Sequence, residues 1–203
     1  QRLTILRAGQ ADLVDALTPK EIGSLRKAKG IKVGGSFLNS TVMMALNWNT
    51  PPLDNVKLRK AIAYGIPYDQ LIDKVYYGSP RKWNGLLPPT YPGFHQTKAV
   101  YNYDPEKAKK LLAEAGFPGG KGLKEFQDSF KLAFVTDRES IIGPVATIVQ
   151  SSLKSIGIPV MLDPMPLQVY ADRQFSKKDL GMAFNDTSRP IGIDAAYGVN
   201  LMY

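Results

Sequence analysis

The feature that most constrains the fold is a succession of strand, helix and strand patterns within residues 130–162. Alternating apolar residues predict a strand over Phe130–Thr136, and apolar spacings of three and four predict a helix over Glu139–Ile156. Gly157 ends that helix, and Ile158–Leu162 again has the pattern of a strand. Two strands joined through a helix should lie parallel with a right-handed crossover, so the sequence predicts an α/β fold.

Strand and helix patterns on both sides of this unit extend the prediction to most of the chain. Shorter strands are expected at residues 12–14, 31–33, 42–46 and 180–184. Further helices are expected up to Arg7, from Thr18 to Gly30, and over 56–66, 68–77, 104–115 and 167–175. Residues 49–54 contain two prolines that break regular structure, so we interpret them as a hinge or a domain junction.

The helix at 104–115 is the most completely specified of these elements. Asp104 can cap its N-terminus, and Gly116 can end it in a left-handed conformation. Glu106 and Lys110 lie four residues apart and are expected to form an ion pair. No residue in this helix has the pattern of a catalyst, so we expect its role to be architectural.

The chain carries a net charge of +8, from 26 basic and 18 acidic residues. Such a charge is compatible with nucleic acid as a partner, and a basic α/β nucleic-acid-binding domain is an alternative interpretation. The basic residues, however, come as dispersed pairs, mostly near acids, and form no long block. No apolar run approaches the length of about 18 residues that a membrane span needs. No N-terminal targeting segment is recognisable, which leaves a cytosolic protein, a mature secreted protein or a fragment.

Few of the residues that usually carry enzymatic chemistry are present. The chain has no cysteine, which excludes disulfides, thiol catalysis and thiolate metal sites. Its one histidine, His95, lies in a proline-rich loop at 79–100, and a hydrolase would have to be built around it. The glycines at 116–122 lack both the leading glycine and the hydroxyl residue of a phosphate-binding loop. We therefore expect a protein that is not an enzyme and has no metal or cofactor.

Ligands of open α/β sheets bind beyond the carboxyl ends of the strands. Two strand ends here carry polar and charged residues, over 136–138 and over 185–189, and the long loop adds the aromatic residues Trp83 and Tyr91. Groups of both charges beside aromatic rings suit a zwitterionic, partly apolar ligand better than a phosphate. The candidate ligand-binding residues are Trp83, Asp137, Arg138, Asp186, Arg189 and Asp194.

Several longer motifs, taken in order, resemble those of one known family. Residues 46–62 (LNWNTPPLDNVKLRKAI) are similar to a signature of the extracellular solute-binding proteins of family 5. These are the peptide-, dipeptide- and nickel-binding components of ABC importers. The resemblance continues through 63–78, and residues 103–118 (YDPEKAKKLLAEAGFP) carry its most specific part. Residues 149–158 resemble a helix end of the same family, and residues 8–12 (AGQAD) resemble one of its turns. The resemblance spans essentially the whole chain.

The resemblance implies an incomplete two-lobed α/β protein of the periplasmic-binding-protein class II, with helices packed on a mixed sheet. Residues 1–47 would form the end of the first lobe and a hinge strand, and residues 48–203 the second lobe with its β-α-β core. Such a protein captures oligopeptides or a related solute by lobe closure and delivers them to the membrane permease subunits of the importer. It is expected to be a monomer of the periplasm, or lipid-anchored at the cell surface, without affinity for nucleic acid. A single lobe offers half of a binding surface, so this chain alone is expected to bind weakly or not at all.

The resemblance also bears on the last predicted strand. In peptide-binding members, an aspartate shortly after a tryptophan in this strand pairs with the amino terminus of the peptide. Here Phe184 stands near the tryptophan position, Asp186 lies one residue from the aspartate position, and Thr187 occupies that position. Other members present an arginine in this segment, to which Arg189 would correspond. These departures leave a modified peptide or another solute as alternatives to a peptide with a free amine.

Overall fold

The computed structural model describes residues 1–15, 17–35, 41–85, 89 and 94–187, and of Asp186 and Thr187 it describes the backbone only. The helices in this part of the chain are α1 (Arg2–Arg7), α2 (Pro19–Leu25), α3 (Val56–Tyr64), α4 (Tyr68–Gln70), α5 (Pro105–Glu114), α6 (Glu139–Ser155) and α7 (Leu167–Ala171). The strands are β1 (Thr41–Leu46), β2 (Lys131–Val135), β3 (Met161–Met165) and β4 (Met182–Thr187). Wider π-helical turns continue α4 over Leu71–Val75 and α7 over Asp172–Lys177, and 3₁₀ turns cover Pro118–Gly120, Leu123–Phe130 and Thr136–Arg138.

The four strands form one mixed sheet in the order β1-β4-β2-β3. β2 runs parallel to both β3 and β4, whereas β1 is antiparallel to β4. The predicted parallel pair joined through a long helix is therefore confirmed, and so is the mixed α/β sheet. Pro164 cannot donate a hydrogen bond to a neighbouring strand, and β3 tolerates it because this strand is at the edge of the described sheet.

Helices cover both faces of the sheet, with a large core on one face and a small core on the other. In the large core, Leu132 and Phe134 of β2 and Met182 and Phe184 of β4 pack with buried residues of α3, α5 and α6. The intervening residues of each strand point to the opposite face, as the period of two in a strand requires. The small core on that face consists of Ala133, Met165, Tyr170, Leu180 and Ala183.

The predicted N-termini of two helices are confirmed by side-chain hydrogen bonds. At α2, Thr18 Oγ1 accepts from the Glu21 N–H at 3.3 Å and Glu21 Oε2 accepts from the Thr18 N–H at 2.8 Å, which completes a capping box. At α5, Asp104 Oδ1 accepts from the Lys107 N–H at 2.9 Å. Both helices therefore begin where short-range sequence signals placed them.

Other predictions of local structure are wrong. Residues 12–14 and 31–33 are not strands, because so short a segment gains little unless a neighbouring strand pairs with it. β3 begins three residues later than predicted. Pro159 lacks an N–H, and the Val160 N–H turns back to the Ile158 carbonyl at 2.9 Å, so regular pairing starts only at Met161.

Two smaller corrections concern helices. α2 ends at Leu25, five residues before the predicted stop at Gly30. On α5, Glu106 pairs with Lys109 at an Nζ–Oε1 distance of 2.9 Å, and not with the predicted Lys110. Both i+3 and i+4 neighbours lie within reach on a helix surface, so spacing alone does not choose between them.

Residues 49–54, predicted to be a hinge or junction, are anchored to the large core. Leu53 is fully buried there, and its carbonyl accepts a hydrogen bond from Arg59 Nη1 at 2.7 Å. Ser129 Oγ donates to the Pro51 carbonyl at 2.6 Å. The segment is therefore part of the body of the fold that carries the sheet. The division of the chain after residue 47 into parts of two lobes stays a prediction.

Candidate functional site

The three parallel strands end at one edge of the sheet, which we name the carboxyl edge. Val135 at the end of β2 pairs with Met165 at the end of β3. β4 runs parallel to β2, with Leu132 opposite Met182 and Ala133 opposite Ala183, and it continues to Thr187. β1 begins at the same edge, where Thr41 pairs with Thr187. Residues that follow these strands are therefore brought together by the sheet itself, as ligand-binding residues are in other open α/β sheets.

Asp137 and Arg138 lie at the carboxyl edge, in the 3₁₀ turn between β2 and α6. The Glu139 N–H donates to the Thr136 carbonyl, which carries the chain from the strand directly into the helix. Asp137 is exposed and Arg138 is half-buried. The turn thus provides an anion and a cation on consecutive residues, and such a pair can bind a ligand that carries both charges.

Tyr170 of α7 holds the end of β4 from the face with the small core. Its hydroxyl lies 2.9 Å from the Phe184 carbonyl oxygen and 2.6 Å from Asn185 Oδ1. Tyr170 is 6% exposed, and this burial raises its pKa to about 12. The hydroxyl therefore remains a neutral donor at the strand end throughout the physiological pH range.

Tyr170 was not singled out from the sequence, and Asn185 was noted only as part of the polar strand end at 185–189. A buried tyrosine needs a partner for its hydroxyl, so the apolar pattern around Tyr170 was a usable signal. Local patterns could not name that partner, however. The contact arises because β4 lies beside β2 in the sheet, and that order depends on pairing between distant segments.

Trp83 is half-buried. The contacts of its neighbour Lys82 show where the segment around Trp83 lies in the fold. Lys82 Nζ donates to the Tyr101 carbonyl at 2.6 Å and lies 4.4 Å from the ring centre of Tyr68. These contacts tie the segment to α4 and to the chain that leads into α5. A contribution of Trp83 to ligand binding stays a prediction.

The remaining candidate residues fall outside the described part of the structure. This applies to Arg189 and Asp194, to Tyr91 of the long loop, and to the side chain of Asp186. The backbone of Asp186 belongs to β4 and pairs with Val42 of β1, one position before the end of the strand. Asp186 therefore belongs to a strand end at the carboxyl edge, and the binding roles of all these residues stay predictions.

The chemistry available at the carboxyl edge is charge of both signs together with hydrogen bonds. In the part of the chain that the structure describes, no group of three or more His, Asp or Glu side chains could hold a metal ion. His95, the residue that a hydrolase would need, is exposed. Among the same described residues, no helix is long and apolar enough to cross a membrane.

A mixed α/β sheet with charged residues beyond the ends of its parallel strands is typical of a ligand-binding domain. Comparison with known families identifies the kind of domain. The chain belongs to the bacterial extracellular solute-binding proteins, family 5, whose "Middle" model matches residues 1–202. The family predicted from the sequence motifs is confirmed by this match.

Individual relatives agree with the family assignment. Heme-binding protein A of Haemophilus influenzae is 34% identical, and the dipeptide-binding protein of Escherichia coli 33% identical, each over 119 residues or 59% of this chain. These matches cover 22% of each relative's length. The crystal structure of NikA from Brucella suis in complex with Fe(III)-EDTA is similar with a TM-score of 0.74 at 26% identity. That match covers 98% of this chain and 44% of the NikA chain, and it confirms the predicted fold class.

Proposed function

We propose that this chain provides one lobe of the substrate-binding component of an ABC importer, and that the component captures an oligopeptide or a related small solute. The observation that carries the proposal is the carboxyl edge, where Asp137 and Arg138 follow β2, a strand that runs parallel to its neighbour β4. Family membership over residues 1–202 supports the same function. A second lobe would close over this edge and bury the solute between the two lobes.

The ligands named for the three relatives suggest a class of solute. A dipeptide, heme and Fe(III)-EDTA differ in size and in metal content, but all of them carry carboxylate groups. The guanidinium of Arg138 could bind a carboxylate, and the carboxylate of Asp137 could bind an amine. We therefore infer a solute with at least one carboxylate, and an amine in addition where the solute is an unmodified peptide.

The proposed mechanism is capture and release without chemical change of the solute. The binding component would take up its ligand in the periplasm, or at the cell surface if it is lipid-anchored, and would deliver it to the permease. It would act as a monomer without a cofactor, and it would not be an enzyme. Its selectivity would come from the charges and hydrogen bonds at the carboxyl edge together with groups on the opposing lobe.

The alternative of a nucleic-acid-binding domain has no support from the family or from these relatives. Several lysines of the described chain are also engaged by carboxylates on the surface. These ion pairs are Lys57–Glu114 at 3.2 Å, Lys131–Asp128 at 2.6 Å and Lys177–Asp172 at 2.7 Å. Such pairs interrupt the continuous positive surface that binding to a phosphate backbone requires.

The proposed site can be tested on this chain by nuclear magnetic resonance. The isotopically labelled chain is titrated with the zwitterionic dipeptide Ala-Leu and, separately, with acetyl-Ala-Leu-amide, which lacks both charges. We expect the zwitterion to shift the amides of residues 136–139 and 185–187 more than the uncharged peptide does, because charge-assisted hydrogen bonds are the stronger ones. Binding should be weak, in about the millimolar range, since one lobe supplies half of the binding surface.

Variants at the carboxyl edge test the contribution of each charge to binding. Asp137→Asn and Arg138→Gln should each weaken the binding of the zwitterion at least about threefold, since each removes the charge from one hydrogen-bonding partner. Asp12→Asn and Lys124→Gln alter exposed charges elsewhere and serve as matched controls. Equal affinity for both peptides, or shifts confined to residues away from the carboxyl edge, would contradict the proposed site. Micromolar affinity would contradict the expectation that one lobe binds weakly.

A further inference from the structure

A concave surface lies between α3, α5 and the segment that precedes α5, and we name it the α3–α5 groove. It has a volume of about 320 Å³ and is lined by Lys60, Tyr64, Ala99, Val100, Tyr101, Lys107 and Leu111. Rings and aliphatic side chains form most of the lining, and Val100 is 45% exposed. The groove therefore combines apolar surface that water can reach with two ammonium groups.

The walls of the groove are fixed by contacts within the fold. The Asp104 N–H donates to the Tyr64 carbonyl at 2.9 Å, which ties the segment before α5 to the end of α3. Lys82 Nζ holds the same segment through the Tyr101 carbonyl at 2.6 Å. The rings of Tyr64 and Tyr101 meet edge to face, with their centres 5.2 Å apart. A ligand would therefore meet a preformed surface and would lose little affinity to ordering it.

The charge in the groove is positive. Lys60 and Lys107 are the charged residues of the lining, and Lys107 Nζ lies 4.2 Å from the ring centre of Tyr64. A side-chain hydrogen bond with Tyr64 is the main cause that raises the pKa of Lys107. Like any ordinary lysine, Lys107 is charged at neutral pH. An ammonium group over a ring keeps donors that can still reach an incoming anion.

Two nearby carboxylates on α5 are paired with lysines outside the groove. Glu114 pairs with Lys57 at 3.2 Å, and Glu106 pairs with Lys109 at 2.9 Å. Asp104 accepts from the Lys107 N–H at the start of α5, and its negative charge is one of the causes that raise the pKa of Lys107. The charged residues of the lining itself are the two cations Lys60 and Lys107, so Asp104 offsets only part of their charge and an anion would complement the groove.

The groove lies away from the carboxyl edge. α6 begins immediately after the turn with Asp137 and Arg138, and it runs for 17 residues, or about 25 Å, to the opposite edge of the sheet. Gly65, the residue after α3, packs against Leu153 and Ile156 at the far end of α6. The groove beside Tyr64 is thus separated from the proposed solute site by about the length of this helix.

We propose that the α3–α5 groove binds an acidic segment of a partner protein. One carboxylate of that segment would lie between Lys60 and Lys107, and a neighbouring aliphatic side chain would pack on Tyr64, Val100 and Leu111. The volume of the groove suits one or two side chains and not a folded surface. Apolar contact would supply affinity, and the two lysines would select acidic segments over neutral ones.

The experiment uses acetyl-Glu-Leu-Glu-Leu-amide as the probe and acetyl-Gln-Leu-Gln-Leu-amide as its neutral counterpart. The labelled chain is titrated with each peptide, and amide shifts are followed over residues 60–64, 99–101 and 107–111. We expect the acidic peptide to shift these amides with a dissociation constant in about the millimolar range, and the neutral peptide to bind several-fold more weakly. Affinity for the acidic peptide should fall as salt concentration rises.

The double variant Lys60→Gln/Lys107→Gln should weaken binding of the acidic peptide about tenfold, because it removes two exposed ion pairs. Its matched control is Lys20→Gln/Lys124→Gln, which removes the same charge from exposed positions outside the groove. The control variant should bind the acidic peptide with an affinity within about twofold of that of the unsubstituted chain. Thermal unfolding of both double variants checks that the fold is kept.

Several results would overturn the proposal. If both double variants weakened binding of the acidic peptide equally, the attraction would come from the net positive charge of the chain and not from the groove. If both peptides bound with equal affinity, the two lysines would not distinguish acidic from neutral segments. The proposal also fails if the groove amides do not shift. If the groove lysines were needed to bind phosphatidylglycerol vesicles while the acidic peptide had no effect, the occupant would be a lipid surface. Each readout is separate from the solute test, because the two tests follow different amides.

Discussion

The hydroxyl of Tyr170 supports β4 through its contacts with Phe184 and Asn185. It lies beside the buried Phe184 carbonyl and the partly buried side-chain oxygen of Asn185, and its single proton is shared between these two acceptors. Because β4 carries Asp186 at its end, the same contact also supports the backbone of a predicted ligand-binding residue. Residues of this kind influence a binding site without contacting the ligand.

Replacing Tyr170 with Phe tests this role. The variant keeps the ring and removes the donor, so we expect the free energy of unfolding to fall by about 1–2 kcal/mol. Urea unfolding followed by circular dichroism measures the change. Tyr103→Phe is the matched control, since Tyr103 is 47% exposed and its substitution should change stability by less than about 0.5 kcal/mol. Equal stability of the two variants would contradict the proposed contact.

Two buried tyrosines also predict how stability depends on alkaline pH. Burial raises the pKa of Tyr68 and of Tyr170 to about 12, whereas both ionise near pH 10 in the unfolded chain. Between about pH 10 and pH 12 the folded state therefore binds more protons than the unfolded state, and stability must fall as pH rises through this window. Urea unfolding at several pH values should show this loss, and Tyr170→Phe should show a smaller one. Stability that did not change above pH 10 would contradict the raised pKa values.

Among the secondary-structure elements, β4 depends on a close approach of two backbones at its start. Gly181 is buried directly before the strand, and a Cβ atom there would collide with the Ser129 carbonyl. The Gly181 carbonyl also accepts from the Asn47 N–H at 2.8 Å, so the segment cannot move away without loss. Glycine is required at this position because there is no room for a Cβ atom.

The Gly181→Ala variant should therefore lose about 1–3 kcal/mol of unfolding free energy, as substitutions that overfill a packed site do. Gly34→Ala is the control, because a Cβ atom at Gly34 meets nothing within 4 Å. We expect that control to leave stability unchanged within about 1 kcal/mol. The comparison can be made by thermal or urea unfolding. Equal effects of the two variants would show that β4 does not approach the segment at Ser129 this closely.

At the scale of the whole molecule, a substitution at Leu53 tests whether residues 49–54 belong to the sheet domain or link two separate domains. Leu53 is 0% exposed in the large core, so Leu53→Ala should cost about 2–5 kcal/mol in a single cooperative transition. Val56→Ala is the control, since Val56 is 51% exposed and should matter little. If Leu53→Ala cost no more than this control, the segment would be a linker and the structural anchoring would be contradicted.

Short-range signals predicted much of the fold. The periodicities of β2 and α6, and the caps at Thr18 and Asp104, are interactions among residues close in sequence, and the structure confirms them. The start of β3 was missed because strand limits are set by the partner strand and not by the apolar run itself. The preference of Glu106 for Lys109 was missed because two neighbours are equally within reach on a helix.

The sequence by itself determined the class of the fold, the family, and the placement of Asp137 and Arg138 after a strand. The fold class and the placement of Asp137 and Arg138 follow from local periodicity and from the rule that parallel strands end at one edge, whereas the family follows from the resemblance of its motifs. The tertiary structure decided what lies between distant segments: the insertion of β4 between β1 and β2, the contact of Tyr170 with β4, and the groove between α3 and α5. These features depend on contacts between residues far apart in the chain, because backbone pairing and core packing form only when the whole fold is assembled.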